Sequence, residues 1–208
     1  MFGRWTMDKF ETLTAVACPV GLAGIDTDQL IPARFMSRPR AAGYGAFLLH
    51  DRRVDANGAA LEFVLDKPAY KGTKILVTGA DFGVGSSREA AVYALWDYGI
   101  RCVIAPSFAD IFAANAVQNG FLTAQVEADV VEALMAALRA APGTRVTVDL
   151  EALQLQCGEI SAGFLVDPVR RLQLLNGWDD LDLTKQHEAA IRAFRAQHQM
   201  LRPWAFTR

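Results

Sequence analysis

The chain has 208 residues, and at about 150 residues per domain that length predicts a single domain. Its composition, 52% hydrophobic and 21% charged, excludes a disordered chain and supplies enough apolar mass for a core without disulfides or metal. The balance of 21 basic against 23 acidic side chains, −2 net, argues against a nucleic-acid partner, and the absence of any run of 18 apolar residues argues against a membrane span.

Residues 1–9 lack the apolar core of a signal peptide and read as a flexible extension, with Met7 as an alternative start. The first third reads as β-structure with loops, on apolar runs at 13–17 and 61–65 separated by turn formers. Between those runs, residues 34–53 carry Arg34, Arg38, Arg40, Arg52 and Arg53 together with Pro39, Gly43 and Gly45. This is a long cationic loop, of the kind that carries function in compact domains. From residue 74 the pattern switches to βα alternation. Lys74–Gly79 is a continuous apolar strand of the type buried in a parallel sheet. A glycine-rich turn leads into a helix with Ala91, Ala94, Leu95 and Tyr98 on one face, stopped by Gly99.

The next strand is Cys102–Ala105, followed by a helix with Ser107 and Asp110 as a capping-box start and Gly120 as its stop. A third helix spans about 128–140. Thr144–Leu150 alternates as a half-buried strand, 153–166 reads as a strand pair turning at Gly158-Glu159, and helices near 168–176 and 184–199 close the chain. The fold class is therefore α/β, with a parallel βαβ centre and antiparallel additions.

Cys18, Cys102 and Cys157 lie 84 and 55 residues apart, so no metal-ligand spacing exists and this chain is expected to hold neither zinc nor an iron–sulfur cluster. An odd, scattered count suits a reducing cytoplasm. His50, His187 and His198 share no motif.

Chemistry concentrates in Asp81-Phe82-Gly83-Val84-Gly85-Ser86-Ser87-Arg88-Glu89, between a buried strand and a helix. Gly83 and Gly85 let backbone approach a ligand, Ser86 and Glu89 have the spacing of an N-cap and its N3 partner, and Arg88 can clamp a carboxylate beside the positive helix end. The motif lacks the third glycine of a dinucleotide fingerprint, the Gly-Lys-Ser/Thr of a P-loop and the Gly-x-Ser-x-Gly of a hydrolase elbow. An ordinary capped βα turn has the same features, so the residues alone leave both readings open. The second candidate is Asp26-Thr27-Asp28, whose carboxylates can order their loop or orient the arginines at 34–40; a plain Asx turn is the alternative.

Together, Ile25-Asp26-Thr27-Asp28-Gln29-Leu30-Ile31-Pro32, Phe82–Glu89, Asp97-Tyr98-Gly99 and Val103–Phe112 resemble the small subunits of 3-isopropylmalate dehydratase, swivelling-domain chains of the aconitase superfamily. The resemblance runs from about residue 10 to the end, including Thr147–Glu151 and Leu183-Thr184. It implies one swivelling β/β/α domain over residues 1–208 and a cytoplasmic hydro-lyase of leucine biosynthesis, active only with a large subunit that holds a [4Fe–4S] cluster. The substrate would be a small dicarboxylate. By the family pattern Ser86 is the catalytic base, and Ser87 and Arg88 hold a substrate carboxylate. Arg38 and Arg40 read the substrate, with Asp26, Thr27, Asp28, Gly83, Gly85 and Glu89 in support.

The chain departs from that pattern at three places. Val84 stands for the usual cysteine, Ala90 for the usual histidine after the Ser-Ser-Arg-Glu turn, and Ala41-Ala42-Gly43 for Arg-Thr-Gly. The altered loop favours, as an alternative, a paralogous hydro-lyase acting on citraconate, methylmalate or another substituted malate.

Overall fold

The structure is a computed structural model that describes residues 7–206, so the expectation for residues 1–6 lies outside it. Residues 7–9 of the expected extension lie against the domain, with the Met7 side chain directed at Gly120 and its carbonyl at Gly177. The strands are β1 (Thr12–Pro19), β2 (Ile75–Val77), β3 (Cys102–Ala105), β4 (Leu122–Gln125), β5 (Arg145–Asp149), β6 (Gln154–Cys157) and β7 (Ile160–Gly163). The helices are α1 (Thr27–Leu30), α2 (His50–Arg53), α3 (Glu89–Tyr98), α4 (Asp110–Gln118), α5 (Ala128–Ala140), α6 (Pro168–Asn176), α7 (Asp180–Lys185) and α8 (Glu188–Leu201).

All seven strands form one sheet in the order β4-β3-β2-β1-β5-β6-β7, and β1 joins its two halves. The C-terminal part of β1, Ala17–Pro19, pairs parallel with Ile75–Val77, while its N-terminal part runs antiparallel to β5 from Thr12 opposite Asp149 to Val16 opposite Arg145. Burial follows this division. Every residue of β2 and β3 is buried, as parallel strands covered on both faces require, whereas β5 and β6 alternate. Gln125 and Leu165 exchange both backbone hydrogen bonds (3.1 and 2.7 Å), so the sheet curls until the β4 edge meets the segment after β7.

The strand alternation feeds two cores. Ile75, Val77, Cys102 and Ile104 face α5 through Val131, Leu134 and Leu138. On the other face, Leu76, Val103 and Ala105 pack with Ala91 and Leu95 of α3 and Phe112 and Ala116 of α4. The expected helix at 128–140 and the strand pair of 153–166 lie where periodicity places them. The apolar run at 61–65 does not form a strand: Val64–Asp66 is a 3-10 turn that inserts Leu65 into the core. Both edges of β1, the strand this turn packs against, are already taken by β2 and β5.

This topology sets the site. Because β1, β2 and β3 are parallel neighbours, the turns leaving their C-terminal ends, near residues 20–29, 78–88 and 106–110, are brought side by side. Ligands of open α/β sheets bind at that end of the strands.

Candidate active site

The turn from Thr78 to Arg88 is clasped by its two neighbours. On the β1 side, Gly83 N–H donates to the Ile25 carbonyl (2.7 Å), Thr27 N–H donates to the Val84 carbonyl (2.9 Å), and the Thr27 hydroxyl donates to the Ser86 carbonyl (3.0 Å). On the β3 side, Phe82 N–H donates to the Ser107 carbonyl (3.1 Å) and Ala109 N–H to the Phe82 carbonyl (2.9 Å). Asp26 caps α1, its carboxylate accepting from the Gln29 N–H (2.6 Å), and so holds Thr27 and Asp28 in place.

Beneath the turn Phe82, fully buried, meets the Phe112 ring edge-on at 5.2 Å. Gly83 has φ +80°, and a Cβ there would overlap the Phe112 ring. Gly83→Ala is therefore expected to combine a left-handed penalty with overpacking, roughly 2–5 kcal/mol in all. A melting temperature lower by about 5–15 °C checks this; a variant that melts with the wild type would remove the close approach as a constraint.

The helix boundary differs from the capping-box expectation. α3 begins at Glu89 with Arg88 as its N-cap residue, so Glu89 is the first helical position rather than the third, and Ser86 lies two residues before the cap. The hydrogen bonds that Gly83, Val84 and Ser86 make with Ile25 and Thr27 hold residues 83–86 against the β1 loop, which delays the first helical turn. The hydroxyls of Ser86 and Ser87 are consequently exposed, and neither bonds to another side chain or backbone group among the described residues. Similarly, α4 starts at Asp110 with Ala109 as a cap residue that has no side-chain bond. Ser107 is engaged with Asp81 instead: its hydroxyl accepts from the Asp81 N–H (2.8 Å) and donates to Asp81 Oδ1 (2.9 Å).

Ser86, Arg88, Thr27, Gly83 and Gly85 line one cavity of about 280 Å³, together with Ala109–Phe112 and Asn115. The Arg88 guanidinium is mostly buried and paired to Asp28. Because Asp28 is half exposed, the pair is worth under about 1 kcal/mol; it serves to aim Arg88 rather than to hold the fold. Glu89 points away, accepting from Asn119 Nδ2 at 3.2 Å.

The arginines of residues 34–53 are largely spoken for. Arg34 pairs with Asp51, whose carboxyl it holds down at about 2, and Arg53 pairs with Asp66. Arg40 binds Asp97 through two nitrogens, covers the Tyr93 ring at 3.9 Å and lines a separate cavity of about 490 Å³ with Trp96 and Asn119. Gly45 seats the same loop on α3, since a Cβ there would come within 2.5 Å of the Tyr98 nitrogen. Arg38 is exposed over the stacked rings of Phe35 and Phe47 and makes no ion pair among the described residues. Neither Arg38 nor Arg40 lines the Ser86 cavity.

The β3-side wall of that cavity is Ala109–Phe112, which carry part of the resemblance but were assigned no place in the site, and Asn115, which sequence reasoning passed over. Their signal was topological: a βα turn beside another βα turn on an adjacent parallel strand.

The cysteines are all buried, Cys18 in one core and Cys102 and Cys157 in the other. Burial pushes the Cys18 thiol up to about 12 and raises the other two, so none is a thiolate at neutral pH. Among the described residues no three His, Cys, Asp or Glu side chains are grouped to hold a metal.

The profile of the aconitase C-terminal domain matches residues 7–129, and one described as LeuD_N matches 132–168. The chain is 48% identical over 202 residues to the 3-isopropylmalate dehydratase small subunit of Rhodospirillum centenum, covering 96% of this chain and 99% of that one. It is 45% identical over 200 residues to the small subunit of Paracoccus denitrificans, covering 95% and 100%. A solved 3-isopropylmalate dehydratase structure from Methanocaldococcus jannaschii shares the fold at a TM-score of 0.63 and 24% identity, over 88% of this chain and 99% of that one. With a clasped Ser-Ser-Arg turn at the strand ends and near-full-length identity to these relatives, the chain belongs to the 3-isopropylmalate dehydratase small-subunit family of the aconitase superfamily.

Proposed function

We propose that this chain, assembled with a large subunit, isomerises 2-isopropylmalate and 3-isopropylmalate by dehydration and rehydration in leucine biosynthesis, in the cytoplasm. The observation that carries the reading is the pair of free hydroxyls, Ser86 and Ser87, exposed on the turn that places Ser86 and Arg88 in one cavity.

Loss of water from a hydroxy-dicarboxylate needs a base for a proton on carbon next to a carboxylate, a weak acid. A serine alkoxide is basic enough, and positive potential is what makes it accessible. The N-terminus of the ten-residue α3 and the Arg88 guanidinium supply that potential beside Ser86. In this reading Ser86 Oγ takes the proton during dehydration and returns one during rehydration. Ser87 and Arg88 hold one substrate carboxylate, Arg88 trading Asp28 for it. Arg38, free of an ion pair among the described residues, is more readily recruited than the Asp97-bound Arg40 by the second carboxylate as the site closes.

The residues of this chain do not fit an iron–sulfur cluster, since its three cysteines are buried, dispersed and protonated. The [4Fe–4S] group belongs, in this reading, to the large subunit, where it supplies Lewis acidity. No helix among the described residues is long and apolar enough to cross a membrane.

The test is reconstitution. The purified chain alone is expected to be colourless and inactive, and the complex with the large subunit to turn over 2-isopropylmalate. A complex that converts citraconate and leaves isopropylmalate untouched would overturn the substrate assignment; an iron–sulfur absorbance band from this chain alone would overturn the division of labour.

A further inference from the structure

We propose that Ser107 is a positioning residue for Ser86, acting through Asp81; the inference rests on the reading of Ser86 as the base. Asp81 opens the turn with its backbone in the left-handed region, φ 59°, which a side-chain-bearing residue adopts at a cost. One hydroxyl secures it there. Ser107 Oγ accepts from the Asp81 N–H (2.8 Å) and donates its only proton to Asp81 Oδ1 (2.9 Å), so both halves of the link depend on the same atom. Phe82 then donates to the Ser107 carbonyl (3.1 Å), and Phe82 is fully buried while Gly83 sits on Phe112. Between Asp81 and Ser86, the backbone groups of Phe82, Gly83, Val84 and Ser86 are each held by a hydrogen bond to a neighbouring loop. The dihedral angles at Asp81 therefore help set the course on which the chain delivers Ser86.

Neither Asp81 nor Ser107 lines the cavity, so their influence on the chemistry runs through the backbone rather than by touching substrate. Both are at least partly exposed, and a hydrogen bond at such a place contributes little to stability. A displacement of about 1 Å at a reacting group, by contrast, costs up to about 100-fold in rate. That asymmetry separates positioning from mere structure.

The experiment uses the complex reconstituted with the large subunit and 2-isopropylmalate, with kcat, KM and melting temperature measured for each variant and Ser86→Ala as the reference. Ser107→Ala is expected to lower kcat about 10- to 100-fold with KM and melting temperature little changed. Ser107→Thr, which keeps a hydroxyl, is expected to restore kcat to within about threefold of wild type. The sharpest comparison is at Asp81. Asp81→Asn keeps an acceptor and tolerates the left-handed backbone, and is expected to stay active. Asp81→Gly relieves the backbone but removes the acceptor, and is expected to lose kcat while melting no lower than wild type. The Ser107→Ala, Asp81→Gly double variant should lose no more than either single one, because both act through one link. Wild-type kcat in Ser107→Ala, or an Asp81→Gly enzyme more active than Asp81→Asn, with Ser86→Ala inactive, overturns the positioning role and leaves the base assignment standing. A fully active Ser86→Ala enzyme overturns that assignment and this inference with it.

Discussion

Replacing Ser86 by alanine is expected to abolish turnover of the reconstituted enzyme while leaving the chain as stable as before. Loss of a catalytic base removes at least about 10²- to 10⁴-fold in rate. A serine that capped a helix would instead cost about 0.5–2 kcal/mol of stability and barely touch the rate. The fold separates the two roles in advance. Arg88 occupies the cap position of α3, and the Ser86 backbone is anchored through its carbonyl to Thr27 rather than through its hydroxyl. Ser86→Ala therefore removes no capping bond, and its melting temperature should match the wild type. Measuring melting temperature, assembly with the large subunit and turnover on the same preparation decides the matter. A destabilised but active variant would make Ser86 structural.

Arg88→Lys is the second large effect. The two side chains carry the same charge, but lysine lacks the planar two-donor fork, which matters where one guanidinium must meet Asp28 and a substrate carboxylate in turn. Loss of a charge-assisted bidentate pair in a closed site amounts to about 2–4 kcal/mol of transition-state binding, or about 30- to 1000-fold in kcat/KM. The resting Asp28 pair is too exposed for its loss to unfold the chain, so stability should fall by no more than about 1 kcal/mol. Steady-state kinetics of the reconstituted Arg88→Lys enzyme within threefold of wild type would show that charge alone suffices and that no clamp exists.

Much of this molecule is legible along the chain because its signals are local. Ile75–Val77 and Cys102–Ala105 are apolar without alternation, and they are the doubly covered parallel strands β2 and β3. Val131, Leu134 and Leu138 recur at helical spacing and fall on one core. The Asp-Thr-Asp and Gly-x-Gly-Ser-Ser-Arg segments carried the family resemblance, since residue types and their order survive where geometry cannot be seen.

Helix starts and side-chain partners were not legible in the same way. Ser86 and Glu89 have capping spacing, and so do Ser107 and Asp110, yet neither pair caps. In each case a long-range contact outbids a local one: Thr27 and Ile25 draw out the first turn, and Asp81 takes the Ser107 hydroxyl. The arginines of residues 34–53 read as one cationic loop, but ion pairs with Asp51, Asp66 and Asp97 neutralise three of them, and two of those carboxylates lie outside the loop. The sequence by itself determined the parallel strands and the longer helices that cover them, the family and the identity of the Ser-Ser-Arg turn, because apolar periodicity and residue chemistry are properties of neighbours along the chain. Only the tertiary structure decided that Thr27, Ser86 and Phe112 share one cavity and that Arg40 does not. That choice depends on which parallel strands lie side by side, and strand pairing is a contact between residues far apart in sequence.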